Sequence, residues 1–413
     1  MERKDLFKFL KERGYIYQTT NEAEVEKLLT GEPTTIYMGI DPTADSLHIG
    51  HCFPLVVMRY LQEAGHKIVI LLGGATSMIG DPSGRRELRQ MCTKEFLDAN
   101  LVSIKKCVGK FINLEGDNPA TFVNNYDWFK DMNYVGFMRE IGVHFNVNKM
   151  LATDACSTRL AEGGLTFFEM GYMLMQAYDF VHLNREYGCT LEMGGSDQWA
   201  NILAGADLGR KLSLLGSRDN KPMEAFTCPL LTNSAGVKMG KTEKGAVWVL
   251  KEKTSPYEFY QSFYNQKDED VEHLFKVLTR LPLEEIAEIM KGDIRDVKHR
   301  MAFEITKFVH GEEDAKEAQK TAFELFQSQT SGDNAPTVEI DKSAHGEGIN
   351  VLELFVAAGL CNSKGEARRL AEQNGLSIDG EKVADINKTL ALSEIDGKLL
   401  KKGKKNFVKV VLK

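Results

Sequence analysis

Residues 34–51 read TTIYMGIDPTADSLHIGH, and this stretch decides the fold prediction. Its first part, residues 34–40, is rich in apolar and β-branched residues and predicts a buried strand. A turn at residues 41–43 follows, and Ser46 is the expected N-cap of a helix over residues 47–64. A strand, a tight turn and a helix in this order predict the first unit of an α/β fold.

Two histidines lie at the start of this predicted helix. His48 and His51 are three residues apart and share one helix face. A helix N-terminus attracts anions through its unpaired backbone N–H groups and its dipole, and two imidazoles would add further donors. We therefore predict phosphate binding there, although two ordinary surface histidines would give the same H-x-G-H pattern.

A second basic segment lies much later in the chain. Residues 238–242 read KMGKT and carry the ammonium groups of Lys238 and Lys241. Lysines beside glycine are also common in solvated loops, so the segment by itself is a weak signal. Together with the two histidines, it predicts that the phosphates of a nucleotide are held from two sides.

The size and composition of the chain limit the class of protein. At 413 residues it is too long for one compact core, so we expect two or three domains. No run approaches a membrane span, and the first residues are too charged for a signal peptide. The seven cysteines include no C-x-x-C pair, which favours reduced thiols over disulfides or structural zinc. We expect a cytoplasmic protein with no membrane partner and no structural metal.

The charge of the chain is unevenly distributed. The net charge is −7, yet the C-terminal stretch is basic and contains no acid among Lys398, Lys401, Lys402, Lys404, Lys405, Lys409 and Lys413. An acidic body with a basic end is typical of a protein that contacts a polyanion at that end. A merely solvated terminus would have the same composition.

Strands and helices alternate along the first half of the chain. Residues 67–75 form a continuous apolar run, as in a parallel strand that is buried on both faces. Shorter strands are predicted at residues 121–124 and 189–193, and a helix from about Asp197. This βαβα order predicts a Rossmann-like doubly wound parallel sheet, with ligands beyond the carboxyl ends of its strands. The histidine and lysine motifs both lie at such positions.

We predict three domains. Residues 1–250 form the Rossmann-like catalytic domain. Residues 251–335 lack strand patterns, show apolar residues at helical spacing and end in a linker rich in Gly, Ser, Asp and Pro, which indicates a small α-helical domain. Residues 348–413 form a separate module.

The C-terminal module has a recognisable pattern. Two short helices precede a hairpin turned on Asp379-Gly380 and a final alternating strand. The second helix carries Lys364, Arg368 and Arg369. Helix, helix and hairpin with basic residues on the second helix resemble the S4 RNA-binding module, which predicts RNA binding through these three residues.

A third motif lies on a strongly apolar helix. Residues 167–180 are so apolar that most of this helix must be buried. Tyr172, Gln176 and Asp179 nevertheless form one polar line along it. Buried polar groups need partners, which are either other protein groups or a small polar ligand.

Two residues at strand ends are expected to face the same crevice. Tyr37 lies toward the end of the first predicted strand, and Asp81 lies beyond the second. A phenol, a carboxamide and carboxylates around an apolar slot would suit an amino acid with a polar aromatic end.

Five stretches, in one order, resemble the bacterial tyrosyl-tRNA synthetases, a family of class I aminoacyl-tRNA synthetases. They are residues 37–51 with a HIGH-type tetrapeptide, 80–84, 172–179, 194–199, and 238–242 with a KMSKS-type segment. With the S4-like end, the likeness covers nearly the whole chain. The polar line on the apolar helix separates this family from the tryptophan enzymes, which share the phosphate motifs.

The resemblance implies a two-step reaction. The enzyme would activate L-tyrosine with ATP to tyrosyl-adenylate and pyrophosphate, and then transfer tyrosine to the 3′ end of tRNA(Tyr). It further implies Mg²⁺ with the nucleotide, a homodimer and an anticodon-binding role for the helical domain. Because the substrate carboxylate is already nucleophilic, positioning and electrostatic stabilisation should carry the rate.

The resemblance also assigns a role to each matching residue. The implied tyrosine-binding residues are Tyr37 and Asp179 at the phenol, Asp81, Tyr172 and Gln176 at the ammonium, and Gln198 near the carboxyl. The implied ATP-binding residues are Gly39, Asp41, Thr43, His48, His51, Asp197, Lys238 and Lys241. The implied catalytic residues, which stabilise phosphate charge, are His48, His51, Lys238, Lys241 and Thr242.

The chain departs from the family pattern at a few positions. Gly240 and Thr242 stand where the general class I signature has serines, although the tyrosine enzymes commonly vary there. Arg85 stands where many relatives have lysine, so a pyrophosphate role for Arg85 and Arg89 is left open.

Two other functions fit parts of the chain. A small-molecule nucleotidyltransferase also carries H-x-G-H at a helix start, but it leaves the polar line and the RNA-binding end unexplained. An RNA-binding or splicing cofactor on a synthetase scaffold would not need intact phosphate and amino-acid motifs.

Overall fold

The computed structural model describes residues 2–82, 92–215, 221–242, 245–327, 336–342, 345–346, 348–403 and 406–413. The chain divides into two compact units. The first comprises Met1–Ser255 and Ser262–His310, and the second comprises Pro256–Gln261 and Gly311–Lys413. The predicted division into three domains stays a prediction.

The first unit is built on a six-stranded sheet. Its strands are β1 (Gln18–Thr19), β2 (Thr35–Ile40), β3 (Lys67–Leu72), β4 (Thr121–Asn124), β5 (Cys189–Gly195) and β6 (Glu224–Cys228). They lie in the order β1-β6-β5-β2-β3-β4. Strands β2 to β6 pair in parallel, and β1 pairs antiparallel with β6 at one edge. The predicted doubly wound parallel sheet is confirmed.

The apolar runs explain which strands form the centre of this sheet. Residues of β2, β3 and β5 are almost all buried, as expected for strands covered on both faces. Strand β3 ends at Leu72, earlier than the predicted residue 75. The prediction was wrong at this end because the chain turns into a short helix, α4 (Thr76–Ile79), directly after the strand.

Helices cover both faces of the sheet. Besides α4, the helices up to residue 214 are α1 (Leu6–Glu12), α2 (Glu22–Thr30), α3 (Ile49–Glu63), α5 (Lys94–Val108), α6 (Tyr126–Phe129), α7 (Tyr134–Glu140), α8 (Val147–Leu151), α9 (Asp154–Glu162), α10 (Phe167–Tyr187) and α11 (Trp199–Leu214). A small two-stranded sheet of β7 (Lys241–Thr242) and β8 (Gly245–Ala246) follows. The helices beyond it are α12 (Pro256–Tyr264), α13 (Asp268–Leu278), α14 (Leu283–Ile289) and α15 (Ile294–His310). In the described part of the chain, no helix is long and apolar enough to cross a membrane.

The strand order creates a crevice in the first unit. From β2 the chain continues to β3 and β4 on one side, and then crosses to β5 and β6 on the other. Connections therefore leave β2 and β5 in opposite directions, which opens the sheet at their carboxyl ends. Tyr37 of β2 and Glu192 of β5 are register partners there.

The second unit contains α16 (Glu312–Gln327) and a C-terminal module. Its other elements are β9 (Thr337–Ile340), β10 (Gly348–Asn350), α17 (Val351–Ala357), α18 (Lys364–Glu372), β11 (Leu376–Ile378), β12 (Glu381–Lys382), β13 (Thr389–Ala391), α19 (Leu392–Ile395), β14 (Leu399–Lys402) and β15 (Asn406–Leu412). Its larger sheet has the order β12-β11-β14-β15-β9. The hairpin predicted on Asp379-Gly380 is the pair β11 and β12. One core, with Leu354, Phe355 and Val410 fully buried, joins the helices to the sheet.

Candidate active site

A cavity of about 420 Å³ lies at the carboxyl ends of β2 and β5. Its walls come from these two strands, from α3 and α10, and from the loops beyond them. The predicted site residues that line it are Tyr37, Gly39, Asp41, Thr43, His48, His51, Asp81, Tyr172, Gln176, Asp179, Asp197, Gln198 and Lys238. The motifs that the sequence places far apart therefore meet in one volume of small-molecule size.

A larger, open groove of about 940 Å³ runs beside α8, α9 and α11. It shares Asp197 with the smaller cavity, but the other predicted tyrosine and nucleotide residues do not line it. We place the site in the smaller cavity because the polar groups converge there.

The two histidines cap helix α3. His48 is the N-cap, and its Nδ1 accepts a hydrogen bond from the amide of Gly50 at 3.1 Å. In return, Nδ1 of His51 accepts a hydrogen bond from the amide of His48 at 3.3 Å. The arrangement is a capping box made by two imidazoles, whose ring centroids lie 4.0 Å apart.

The prediction that Ser46 is the N-cap was wrong. Its hydroxyl is buried, donates a hydrogen bond to the carbonyl oxygen of Leu47 and accepts one from the amide of Leu250. The Leu250 amide arrives from a distant part of the chain, so local sequence gave no sign that the Ser46 hydroxyl was occupied.

This capping places the ring protons of both histidines on Nε2. Because each Nδ1 accepts a hydrogen bond, Nε2 is the nitrogen that carries a proton and can donate. Burial lowers the pKa of His51 to about 3, and the neighbouring His48 adds to this effect. Near neutral pH, His51 is therefore an uncharged N–H donor.

The backbone amides at the start of α3 are already paired. Ile49 donates to the carbonyl oxygen of Val247 at 3.0 Å, Gly50 donates to the His48 ring, and His51 donates to the carbonyl oxygen of His48 at 2.9 Å. The expectation of unpaired N–H groups is thus wrong for these three residues. A bound phosphate would meet the Nε2–H groups of the rings instead.

Gly50 makes the fold-back of the His48 ring possible. A Cβ atom at this position would lie 2.9 Å from Cε1 of His48, closer than Cβ contacts normally come. A side chain here would therefore push the imidazole away from the amide that it caps.

The second basic segment is held against the first. Backbone hydrogen bonds join the amide of Val249 to the carbonyl oxygen of Leu47 and the amide of Val247 to that of Gly240. Gly240 has φ +108, and a Cβ there would lie 3.2 Å from Nδ1 of His48. The glycine in place of a serine thus allows the lysine segment to approach the imidazole closely.

The lysines of this segment differ in what the structure describes. Nζ of Lys238 forms an ion pair with Oδ2 of Asp197 at 3.0 Å, and both side chains are partly exposed. Lys241 and Thr242 form β7, but their side chains lie outside the described part. Arg85, Arg89, Lys404, Lys405 and the predicted linker at residues 331–335 also lie outside the described residues.

The polar line on α10 has partners from several elements. The hydroxyl of Tyr172 donates to Oδ2 of Asp41 at 3.1 Å, and Nε2 of Gln176 donates to Oε1 of Glu192 at 3.3 Å. Protein groups therefore satisfy part of the line. Oε1 of Gln176 and the hydroxyl of Tyr37 are buried and have no hydrogen-bond partner among the described residues.

Asp179 is held by two donors. Its Oδ2 accepts from Nδ2 of Asn125 at 3.0 Å, and its Oδ1 accepts from Nε1 of Trp128 at 2.9 Å. Burial raises the pKa of Asp179 well above its usual range, while these two donors oppose the shift and Glu192 and Asp41 add to it. Burial likewise raises the pKa of Tyr37, so its phenol stays protonated.

The remaining predicted residues sit around the mouth of the cavity. Nε2 of Gln198 donates to Oδ2 of the buried Asp81 at 2.7 Å, and Oε1 of Gln198 accepts from Asn201. Asp41 is also held by the hydroxyl of Thr76 at 3.0 Å. The amide of Thr43 donates to the carbonyl oxygen of Asp41, which shapes the turn after β2.

Sequence reasoning missed Glu192, Asn125 and Trp128. Asn125 follows β4 directly, so its place at the carboxyl end of a strand was a usable signal. Glu192 stands inside an otherwise apolar strand, and an isolated carboxylate in such a run is itself a signal of a buried polar site.

The predicted tRNA-binding residues lie on α18 in the second unit. Arg368 and Arg369 are exposed, whereas Lys364 forms an ion pair with Glu353 at 3.0 Å. Three lysines of the basic end are also paired, namely Lys398 with Asp379, Lys402 with Glu366 and Lys413 with Glu339. Fewer of these cationic side chains are therefore available to bind RNA than the composition alone suggested.

The fold and this site define a class of protein. Three features are typical of a class I tRNA synthetase core. They are a crevice at the switch point of the sheet, histidines at the start of a helix, and a lysine segment packed against those histidines. The family model described as tRNA synthetases class I (W and Y) matches residues 29–327. The model described as Tyrosine--tRNA ligase SYY-like C-terminal domain matches residues 327–410.

Known proteins narrow the class to one family. The Tyrosine--tRNA ligase of Clostridium tetani is 49% identical over 413 residues and covers 99% of this chain and 99% of that protein. That of Clostridium kluyveri is 49% identical and covers 99% of this chain and 100% of that protein. The crystal structure of a C-terminally truncated Aspergillus nidulans mitochondrial tyrosyl-tRNA synthetase has a TM-score of 0.68 and 31% identity, and covers 78% of this chain and 94% of that chain. The chain belongs to the tyrosine–tRNA ligase family of the class I synthetases, EC 6.1.1.1.

Proposed function

We propose that this chain forms tyrosyl-adenylate from L-tyrosine and ATP in the cavity above β2 and β5, and then transfers tyrosine to the 3′ end of tRNA(Tyr). One observation carries the proposal. Apart from Lys241 and Thr242, the predicted tyrosine and nucleotide residues from five separate stretches of chain all line a single cavity of about 420 Å³. Membership of the tyrosine–tRNA ligase family supports the choice of amino acid.

The tyrosine side chain would occupy the deep end of the cavity. There the unpartnered hydroxyl of Tyr37 and the carboxyl of Asp179 would meet the phenol of the substrate. A site built around a hydroxyl rejects phenylalanine because its own buried polar groups are then left unpaired. Selection of tyrosine over phenylalanine by a tyrosine-specific site is a familiar example of that principle.

The other end of the amino acid would face α10 and the loop after β3. Tyr172, Gln176 and Asp81 would bind the ammonium group, with Oε1 of Gln176 as its unpartnered acceptor. Gln198 would lie near the carboxylate. This orientation directs the carboxylate toward the nucleotide.

The nucleotide would lie between the turn after β2 and the lysine segment. Gly39, Asp41, Thr43 and Asp197 would contact the ribose and base portion, and the Nε2–H groups of His48 and His51 would face the phosphates. Lys238, Lys241 and Thr242 would close over the β and γ phosphates, for which Lys238 must leave its ion pair with Asp197. Preorganised donors of this kind lower the barrier by stabilising charge that develops in the transition state.

A magnesium ion is expected to arrive with ATP and to neutralise charge on the leaving pyrophosphate. In the described part of the chain, no group of three or more His, Cys, Asp or Glu residues is placed to hold a metal. Three of the carboxylates that line the cavity, those of Asp41, Asp81 and Asp197, are each engaged by protein donors. We therefore assign the ion to the phosphate oxygens of the nucleotide rather than to a protein cage.

The second unit would bind the tRNA. Exposed Arg368 and Arg369 on α18, together with Lys364 and the basic C-terminal strands, provide the cationic surface. The helices over residues 251–335, of which α13, α14 and α15 belong to the first unit, would contact the anticodon end, within the three-domain division predicted from the sequence. The match to the SYY-like C-terminal family supports a shared role for this module.

A homodimer is the proposed assembly. The segment from α7 to the start of α10 exposes large apolar side chains, which are Tyr134, Val135, Val143, Val147, Leu160, Phe167 and Phe168. Several large apolar side chains exposed along one segment are typical of an interaction site, and a second copy of the chain is the occupant we propose. Sedimentation equilibrium should give twice the chain mass, and a monomer at micromolar concentration would contradict the assembly.

We place the protein in the cytoplasm. All seven cysteines lie in the described part of the chain and form no disulfide there, and all but Cys92 are buried. Buried reduced thiols are typical of a reducing compartment.

Two experiments test the function together. Pyrophosphate exchange with each standard amino acid should respond to tyrosine alone, and charging of tRNA with radiolabelled tyrosine should follow. Exchange without an amino acid requirement would favour a small-molecule nucleotidyltransferase. RNA binding with neither activity would favour a splicing or RNA-binding cofactor. Family membership favours neither of these alternatives.

A further inference from the structure

Glu192 is the buried carboxylate of the cavity that no predicted role uses. It lies on β5, is 3% exposed and is the register partner of Tyr37 on β2. Its side chain lines the cavity together with Gln176 and Asp179. A carboxylate in such a place needs compensation, because burial without partners is costly.

Polar capacity for a ligand remains around Glu192. The buried Oε1 of Gln176 has no hydrogen-bond partner among the described residues, and the buried hydroxyl of Tyr37 and Oε2 of Glu192 lie near each other without a hydrogen bond of normal geometry. Asp179 differs, since Asn125 and Trp128 each donate to one of its oxygens. The unsatisfied groups therefore cluster on the Glu192 side of the cavity, where an amino acid would supply the missing contacts.

Glu192 determines which way the Gln176 amide points. Nε2 of Gln176 donates to Oε1 of Glu192, so the carbonyl oxygen of the same amide faces away from Glu192 and stays available. An ionised carboxylate only accepts hydrogen bonds, and this holds the amide in that orientation. A protonated carboxyl can also donate, and donation to Oε1 of Gln176 would turn the NH₂ group toward the cationic substrate.

The groups that face Glu192 come from three elements. Tyr37 projects from β2, Gln176 and Asp179 from α10, and Cys189 from β5 itself, while its register partner on β6 is the non-titrating Ala225. Burial raises the pKa of Glu192 to about 7, although the nearby Tyr37 hydroxyl and the Gln176 amide oppose the shift. No cation among these neighbours offsets the carboxylate in the free enzyme.

We propose that ionised Glu192 is a positioning residue of the tyrosine site, which holds the Gln176 carbonyl toward the substrate ammonium and so makes tyrosine affinity depend on its own protonation. This inference rests on the proposed function, since it assumes that tyrosine binds in this cavity. The ammonium group compensates the buried negative charge. Binding therefore favours the ionised carboxylate and releases a proton when Glu192 starts protonated.

The expected effect is large enough to measure. If only the ionised form is competent, affinity scales with its population, so tyrosine should bind roughly tenfold more weakly at pH 6 than at pH 8. In Glu192→Gln the side chain accepts from Gln176 at every pH, so this pH dependence should disappear. His51 does not contribute in this window, because its pKa is lowered to about 3.

The test measures equilibrium binding of radiolabelled tyrosine to the full chain, without ATP, from pH 6 to pH 8. The wild-type protein, Glu192→Gln and Glu224→Gln are compared. Glu224 is the matched control, because it is a partly buried glutamate on the neighbouring strand β6, where it contacts Thr20 instead of the cavity. The control should keep the wild-type slope, and Glu192→Gln should lose it.

A second measurement uses the wild-type protein alone. Calorimetry of tyrosine binding at pH 7 in buffers of different ionisation enthalpy should show release of roughly half a proton. This measurement tests the coupling between tyrosine binding and ionisation of Glu192 even if Glu192→Gln fails to fold. A flat wild-type profile without proton release, or an unchanged slope in Glu192→Gln, would overturn the role of Glu192. Absence of tyrosine binding at every pH would instead reject the proposed function.

Discussion

The hydroxyl of Tyr37 shows how one unsatisfied atom separates stability from binding. It is buried near Glu192 without a hydrogen bond of normal geometry among the described residues, so the free enzyme gains little from it. Tyr37→Phe should leave the thermal midpoint unchanged or raise it. Tyrosine affinity should fall by roughly three- to tenfold, the worth of one hydrogen bond. Equilibrium binding and thermal unfolding measure the two effects.

Tyr15 provides the matched control for this change. Its hydroxyl is equally buried but donates to the carbonyl oxygen of Val277 at 3.2 Å. Tyr15→Phe should therefore destabilise the fold by about 1 kcal/mol and leave tyrosine affinity unchanged. If Tyr37→Phe behaves like Tyr15→Phe, the phenol contact assigned to Tyr37 is incorrect.

His51 is expected to act on phosphate charge alone. Its Nε2–H is a neutral, fixed donor in the part of the cavity that we propose for the phosphates. Loss of one such donor costs roughly two to three orders of magnitude in rate. His51→Ala should accordingly slow adenylate formation by that amount, as followed by pyrophosphate exchange, with little change in tyrosine binding. Normal exchange in this variant would remove His51 from the reaction.

At the same scale, residue type and spacing singled out many of the residues that the structure brings together around the cavity. Tyr172, Gln176 and Asp179 were identifiable because polar side chains rarely line up on an apolar helix by chance. Glu192 was not, since its meaning depends on lying opposite Tyr37, and the register between β2 and β5 cannot be read from either strand alone.

Among the elements, the starts of helices were harder to predict than the strands. The central strands follow from continuous apolar runs, and β4 has the predicted bounds. The start of α3 was displaced from Ser46 to His48, because an amide from residue 250 takes the Ser46 hydroxyl. Local capping rules cannot anticipate a partner that arrives through tertiary structure.

The cap of α3 also predicts an unusual cost for a helix-favouring change. Gly50→Ala would normally stabilise a helix, but the new Cβ would lie 2.9 Å from the His48 ring. Displacing the ring breaks the hydrogen bond to the Gly50 amide, so stability should fall by about 1 kcal/mol. Pyrophosphate exchange should slow as well, because Nε2 of His48 moves.

Gly136 in α7 is the comparison for Gly50→Ala. Its amide also donates to an N-cap side chain, that of Asn133, but an added Cβ would come no closer than 3.8 Å to any atom. Gly136→Ala should raise stability by up to about 1 kcal/mol without affecting exchange. Equal behaviour of the two variants in thermal unfolding would contradict the steric account of the α3 cap.

For the whole molecule, the two compact units imply separable tasks. The cavity belongs to the first unit, while the exposed arginines of α18 belong to the second. A chain ended at residue 327 should retain tyrosine-dependent pyrophosphate exchange. Its tRNA charging should fall by roughly two orders of magnitude or more, as expected when several phosphate contacts are lost.

Salt provides the control for this truncation. Charging by the full chain should weaken steeply as salt rises, because RNA phosphate contacts displace counterions, whereas exchange should change little. If the shortened chain charges tRNA normally, the C-terminal module has another task.

The hydrogen bonds between residues 46–49 and 247–250 have a consequence for biosynthesis. They close a loop of about 200 residues. The chain therefore loses conformational entropy when the loop closes, before these hydrogen bonds can stabilise it. A nascent chain emerging from the ribosome can assemble β2, β3 and the body of α3 early, yet the imidazole pair lacks its backbone support until residue 250 has been translated. The growing polypeptide therefore remains unable to engage phosphate until well past the midpoint of its synthesis.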